Sequence, residues 1–222
     1  MQVRLDKRAR IIADGGQAYP VDLLRDHTLV QVRQKYTDDT GELTLAPGEE
    51  TTDEVTVGGR VVFVRNTGKL CFASLQDGFT ETSNGERLQI MLSKAEVGDE
   101  SLAAWKSDVD LGDHVWVRGR VVVSRRGELS IMAAEWRMAS KALRPLPTLH
   151  KELSEESRVR RRYADLVVRE ESRQMVRTRA VITRAVRRAL DERGFLEIET
   201  PILQLVHGLS LIHISEPTRR TP

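Results

Sequence analysis

GGRVVFVRNTGKLCFASLQD, residues Gly58 to Asp77, is the stretch whose reading decides the fold. It predicts two β-strands joined by a turn at Asn66-Thr67-Gly68. Alternation puts Cys71, Ala73 and Leu75 on one side of the second strand and Leu70, Phe72 and Ser74 on the other. A core takes only one of those faces. If the small residues and Leu75 go inward, Phe72 lies in solvent beside Arg65 and Lys69. An exposed ring next to cations on a small sheet is what stacking on an unpaired base requires. Periodicity alone leaves the opposite choice, Phe72 in the core, equally open.

Outward from this hairpin, Val55 to Met138 is strand-rich. The predicted strands are Val55–Val64, with a bend or bulge at Gly58-Gly59, then Lys69–Gln76, Arg87–Leu92, Val115–Ser124 and Glu128–Ala133. A helix over Glu100–Lys106 separates the third and fourth and offers Leu102 and Trp105 to cover one end of a barrel. Five strands with a helix in that position are the layout of an OB-fold, and the class is α+β. If Leu88, Ile90, Leu129 and Ile131 are buried, Gln89, Glu128 and Ser130 face outward. Arg65, Phe72, Gln89 and Glu128 then line one solvent face, with a ring to stack and polar groups to read base edges. Taken singly, Gln89 and Glu128 are ordinary surface residues; beside Phe72 they form a candidate site.

Before the barrel, Val3–Ala13 reads as a helix with Leu5, Ala9 and Ile12 at helical spacing and Gly15-Gly16 as its stop. A second helix is expected over Thr28–Tyr36, with Leu29 and Val32 inward. Thr37 to Glu54 carries seven acids and no Lys or Arg, and with Pro47-Gly48 it reads as a mobile surface loop. After the barrel, Pro145 and Pro147 make Lys141–Lys151 a linker. Ser154 is the expected N-cap of a helical region that runs with interruptions from Arg158 to Arg193. There twelve arginines face five acids, which reads as a solvated, ion-paired surface rather than an RNA contact. Val181, Ile182, Ala185, Val186, Ala189 and Leu190 form a broad apolar face. Gly194 stops the helix, and Phe195–Thr200 alternates as a strand ending at Pro201.

Over the 222 residues, 35 Lys and Arg nearly balance 33 Asp and Glu, so no global polycation points to nucleic acid. A single cysteine excludes an internal disulfide framework and fits a reducing, cytoplasmic setting. No apolar run nears the roughly 20 residues of a membrane span, and no hydrophobic region follows the charged start. GxxxxGK[ST], CxxC and a His pair at metal-ligand spacing are all missing, so no metal site is expected.

Several motifs together resemble one family. They are Gly68-Lys69 with Phe72 and Leu75-Gln76-Asp77, Gly127-Glu128-Leu129-Ser130, Ala142-Leu143-Arg144-Pro145-Leu146-Pro147, and the block Arg160 to Leu166. With Arg193 to Pro201, which looks like class II motif 1, they are similar to the amino-terminal half of a bacterial-type class II lysyl-tRNA synthetase. The OB pattern also fits the aspartyl and asparaginyl relatives; the Leu143-Arg144-Pro145-Leu146-Pro147 linker favours lysine. The resemblance implies residues 1–54 as a helical extension with an acidic loop and 55–140 as an OB-fold anticodon-binding domain. It then implies a linker over 141–153 and the start of the catalytic domain over 154–208.

By the same resemblance, the full enzyme activates lysine with ATP and Mg2+ and esterifies its tRNA, as a homodimer with no membrane part. Phe72 matches the position that stacks an anticodon base, and Arg65, Gln89 and Glu128 match positions that read or orient the anticodon's uridines. Pro201 matches the motif 1 proline at the dimer interface. From Leu209 the chain departs from the family pattern, and LSLIHISEPTRRTP looks like a translated sequencing adapter. The ATP-binding arginines and magnesium carboxylates expected beyond motif 1 are missing from the sequence, so lysyl-adenylate formation by these 222 residues is not expected. The rival readings are the synthetase-like part of a lysyl-phosphatidylglycerol-forming enzyme and a stand-alone OB-fold RNA-binding module.

Overall fold

The computed structural model describes residues 1–78, 85–147 and 153–200; Pro201 and the tail lie outside them. The chain forms two compact units, Met1–Arg177 and Thr178–Pro222.

In the first unit β1 (Glu50–Thr67), β2 (Leu70–Gln76), β3 (Arg87–Ser93), β4 (His114–Val123) and β5 (Leu129–Ser140) close into a barrel in the order β1-β2-β3-β5-β4. Its 18-residue first strand makes closure possible. The first part of β1, Glu50 to Arg60, pairs with β4, and the second, Arg60 to Thr67, pairs with β2. All neighbours are antiparallel except β3 and β5. Alternation fills the interior as expected: Cys71, Ala73 and Leu75 from β2, Leu88, Ile90 and Leu92 from β3, and Leu129, Ile131 and Ala133 from β5 are all buried. A one-residue slip would turn each such set to water, which pins the register.

Three details differ from the sequence reading. β1 starts at Glu50 rather than Val55, so the end of the acidic stretch is strand and not loop. Its acids meet basic side chains: Glu54 pairs with Arg118 at 3.2 Å and Asp53 with Lys35 at 2.6 Å. The bulge lies between Val61 and Phe63, not at Gly58-Gly59. Gly59 instead permits a close approach, since a Cβ there would sit 3.0 Å from Leu75 Cβ and 3.2 Å from the Gln76 carbonyl. Finally, Ser130 keeps the outer face that alternation gives it, paired with Gln89, but is fully buried there.

Between β3 and β4, α3 (Lys94–Val97) and α4 (Asp99–Asp108) close one barrel end with Leu102 and Trp105. Ahead of the barrel, α2 (Leu29–Lys35) starts with a Thr28/Gln31 capping box and buries Leu29 and Val32. The first helix, α1 (Gln2–Ala13), buries no residue; Ile12, at helical spacing with Leu5 and Ala9, is 48% exposed, and Ile11 packs on the core. Polar contacts hold α1: Lys7 pairs with Asp110 at 2.8 Å, Arg10 with Asp108, and Arg4 donates to the Leu111 and Ala142 carbonyls. Lys141, first residue of the expected linker, is an interior group bound to Asp110 and Asp113.

Three helices follow the linker: α5 (Glu155–Arg160), α6 (Arg162–Val168) and α7 (Glu170–Asp191). Ser154 caps α5 by accepting from Ser157 N–H. Buried Asp165 joins α6 to α7 by accepting from Ser172 Oγ at 2.6 Å and pairing with Arg162 and Arg169. Other arginines pair locally, Arg160 with Glu156 and Arg187 with Glu197. Arg173 is buried and donates to the Leu166 and Val167 carbonyls. In the second unit, α7 ends before Gly194 (φ 82°), and Phe195–Thr200 forms no strand; a lone alternating segment has no ladder to join there. Val181, Ile182, Val186 and Leu190 on α7 are exposed.

Candidate nucleic-acid interface

The Val61/Phe63 bulge sets up the outer face of the barrel. Val61 and Val62 are both buried, so parity switches and Phe63 emerges 55% exposed. Register then lays two rows of side chains across the sheet. One is Phe63, Ser74, Gln89 and Ser130; the next is Arg65, Phe72, Met91 and Met132. A groove of about 780 Å³ lies over these rows, lined by Phe63, Arg65, Phe72, Gln89, Met91 and Glu128 among others. The four residues singled out in the sequence, Arg65, Phe72, Gln89 and Glu128, thus converge on one groove. Phe72 is half-buried, so its ring is not sealed in the barrel.

Arg65 and Glu128 are exposed, and the Arg65 guanidinium lies 4.7 Å from the centroid of the Phe72 ring. At an exposed site such a cation–π contact contributes roughly 0.5–1 kcal/mol, against roughly 1–3 kcal/mol for a base–aromatic stack. A base therefore competes well for the ring, and the displaced guanidinium is free to stack on it or reach a phosphate. Gln89 is more constrained. Ser130 Oγ donates to the Glu128 carbonyl (2.9 Å) and so accepts from Gln89 Nε2 (2.8 Å). That relay orients the amide and leaves Gln89 Oε1 as an acceptor for a donor edge such as the uracil N3–H. Burial of Ser130, which alternation does not predict, is what makes the relay possible.

The sequence reading misses Phe63, Leu70, Met91, Arg125 and Arg126, which also line the groove. The available signal was the run Val61-Val62-Phe63-Val64, since four consecutive apolar residues cannot all face one core. Arg125 and Arg126, in the exposed β4–β5 turn, bring positive charge to the rim. Cys71 is buried beneath this face, where burial pushes its thiol pKa up, so it is no nucleophile. Pro201 lies outside the described residues. Among the described residues no three His, Cys, Asp or Glu side chains gather where a metal ion could sit.

A smaller cleft of about 200 Å³ is lined by Arg60, Gln76, Asp77, His114 and Arg173 among others. Burial, and then the neighbouring Arg60 charge, hold the His114 imidazole below its ordinary 6.5, with Asp113 opposing. The folded protein thus keeps His114 neutral where the unfolded chain takes up a proton. Stability is full above the unfolded value, declines as pH falls through it, and levels off below the folded one. His114→Gln is expected to flatten this decline in urea midpoints measured from pH 7.5 to 5; an unchanged slope would exclude His114 as its source.

Comparison with known proteins gives the groove a context. Residues 55–139 match the family of OB-fold nucleic acid binding domains, and residues 154–210 match the class II tRNA synthetases of the D, K and N group. The chain is 59% identical over 208 residues to a lysine–tRNA ligase of Kineococcus radiotolerans and 56% identical over 207 residues to one of Mycolicibacterium gilvum. These alignments cover 94% and 93% of this chain but 39% of each relative, so the chain spans about two-fifths of their length. A lysylphosphatidylglycerol biosynthesis bifunctional protein of Rhodococcus jostii is 39% identical over 209 residues, covering 94% of this chain and 17% of that protein.

Proposed function

We propose, for a chain that joins an OB-fold nucleic-acid-binding domain to the start of a class II tRNA synthetase domain, that it is the anticodon-reading part of a lysine–tRNA ligase. Carrying this reading is the convergence of Arg65, Phe72, Gln89 and Glu128 on one groove, with the Gln89 amide already oriented. Phe72 stacks an anticodon base. Gln89 Oε1 accepts from a uridine N3–H and meets an acceptor instead in cytidine, which disfavours that base. Glu128 supplies a second acceptor and Arg65 a cation for the stacked base or its phosphate. In the whole enzyme, ATP and Mg2+ serve lysine activation.

The cytoplasm is the expected setting, and no described helix is long and apolar enough to cross a membrane. Homodimerisation of the whole enzyme rests on the motif 1 resemblance around Pro201; the exposed apolar stripe on α7 is surface that such an interface would cover. The higher identity to the two ligases favours ligation over lysyl-phosphatidylglycerol synthesis.

Binding of a lysine-anticodon stem-loop, followed by fluorescence anisotropy, tests the reading. Phe72→Ala is expected to weaken it by roughly 1–3 kcal/mol, about five- to 150-fold. Changing the anticodon uridines to cytidine is expected to weaken wild-type binding and to matter less in Gln89→Ala. Equal affinity of wild type and Phe72→Ala would remove Phe72 from the interface.

A further inference from the structure

Phe63 has no counterpart in the recognition scheme above, yet it is the most exposed phenylalanine on the barrel wall and lies in the same groove. The bulge is what puts it there: it follows two consecutive buried valines and takes the outer face that an unbroken strand would give to Val62. Phe63 pairs across β1 and β2 with Ser74, whereas Phe72 lies two residues from Ser74 on the same face. Diagonal neighbours of that kind are about 7–8 Å apart, within one nucleotide step of an extended single strand. Ser74 pairs in turn with Gln89, so along this row a small residue separates a ring from the oriented amide. The geometry is a slot with an aromatic wall, a short floor and an acceptor opposite. Arg125 and Arg126 at the rim are placed for the backbone of such a strand.

We propose that Phe63 is a second stacking platform, holding the nucleobase next to the one on Phe72 and presenting its edge to Gln89 across Ser74. The inference rests on the anticodon reading and extends it from one stacked base to two. Sheets that display two exposed rings stack two successive bases in this manner. Two platforms also fix the path of the strand, which a single ring does not.

The test is a double-mutant cycle on the 222-residue chain, with an anticodon stem-loop made abasic at one loop position at a time. Phe63→Ala is expected to weaken the intact stem-loop about tenfold, within the range of one lost stack, while Phe63→Tyr retains affinity. The loss is expected to vanish when one particular base is absent, and the corresponding loss for Phe72→Ala to vanish at the adjacent position. Loss for Phe72→Ala but none for Phe63→Ala would overturn the inference and leave the anticodon reading intact. So would coupling of both rings to the same position, which means one base between two rings. No effect from either variant would defeat both. Because Phe63 is mostly in solvent, its variants are expected to keep the wild-type urea midpoint, and a lowered midpoint together with unchanged affinity would make the ring structural and overturn the proposal.

Discussion

Lys141→Met is expected to destabilise the barrel by roughly 3–5 kcal/mol, the usual cost of leaving a buried charge without its partner. The Lys141 side chain is fully buried and donates to the Asp108 carbonyl, Asp110 Oδ2 and Asp113 Oδ2 at 2.6, 2.6 and 2.7 Å. All three ammonium N–H groups are therefore used. Asp113 is equally buried and also accepts from the Ala142 and Asp110 backbone N–H groups at 2.8 and 2.7 Å. Methionine fills similar space but leaves the Asp113 charge half satisfied. Asp110 acts in the same cluster: burial alone would raise its pKa, but Lys141 and Lys7 outweigh that and hold it below the usual carboxylate value. The cluster joins α1, the α4–β4 turn and the start of the linker, so its loss is expected to loosen all three. Urea unfolding followed by tryptophan fluorescence measures it, because Trp105, Trp116 and Trp136 all belong to the barrel and its covering helix. Adding Asp113→Asn to Lys141→Met is expected to recover part of the loss. A cost under about 1 kcal/mol would mean that water reaches the pair, as at surface ion pairs.

Trp105→Ala is the second large effect, expected at roughly 3–5 kcal/mol for removing a fully packed aromatic. Trp105 is 1% exposed, plugs one end of the barrel from α4, and meets Trp136 edge-on at 5.1 Å between ring centroids. Its indole N–H has no hydrogen-bond partner among the described residues. Trp136 differs, since its N–H donates to the Ser101 carbonyl at 3.2 Å. Trp105→Phe therefore loses ring area but also removes an unsatisfied donor, whose burial costs roughly 1–3 kcal/mol. The two terms oppose each other, and the Phe variant is expected within about 1.5 kcal/mol of wild type. If Trp105→Phe were as damaging as Trp105→Ala, the indole N–H would have to be bonded in solution, and the packing account of this plug would fail. Both variants are read from the same urea transition.

Much of this fold is local information. The β1–β2 hairpin, which turns at Gly68-Lys69 with Asn66 and Thr67 still paired in β1 rather than at the expected Asn66-Thr67-Gly68, the β2 alternation through Cys71, Ala73 and Leu75, and the helix carrying Leu102 and Trp105 follow from side-chain period and turn chemistry. The caps at Thr28 and Ser154 follow from a side-chain oxygen meeting free N–H groups. Local information also names Arg65, Phe72, Gln89 and Glu128 as candidates, since each sits at a definite parity in its strand. It does not choose the face. Alternation allows Phe72 inside or outside, and closure of β1 onto β4 selects outside by assigning the interior to Cys71, Ala73 and Leu75.

What only the tertiary structure decides shares one physical cause. Each such residue owes its place to a partner distant in sequence. Ser130 is buried, and able to orient Gln89, because β5 lies parallel against β3. Lys141 leaves the linker for the interior because Asp110 and Asp113 wait there. Glu50 to Glu54 join β1 because β4 offers an edge with Arg118 and Arg120 on it. Phe63 reaches the groove because β1 must shift register between its two neighbours. A sequence states the period of a strand; which side meets water depends on the elements that later pack across it.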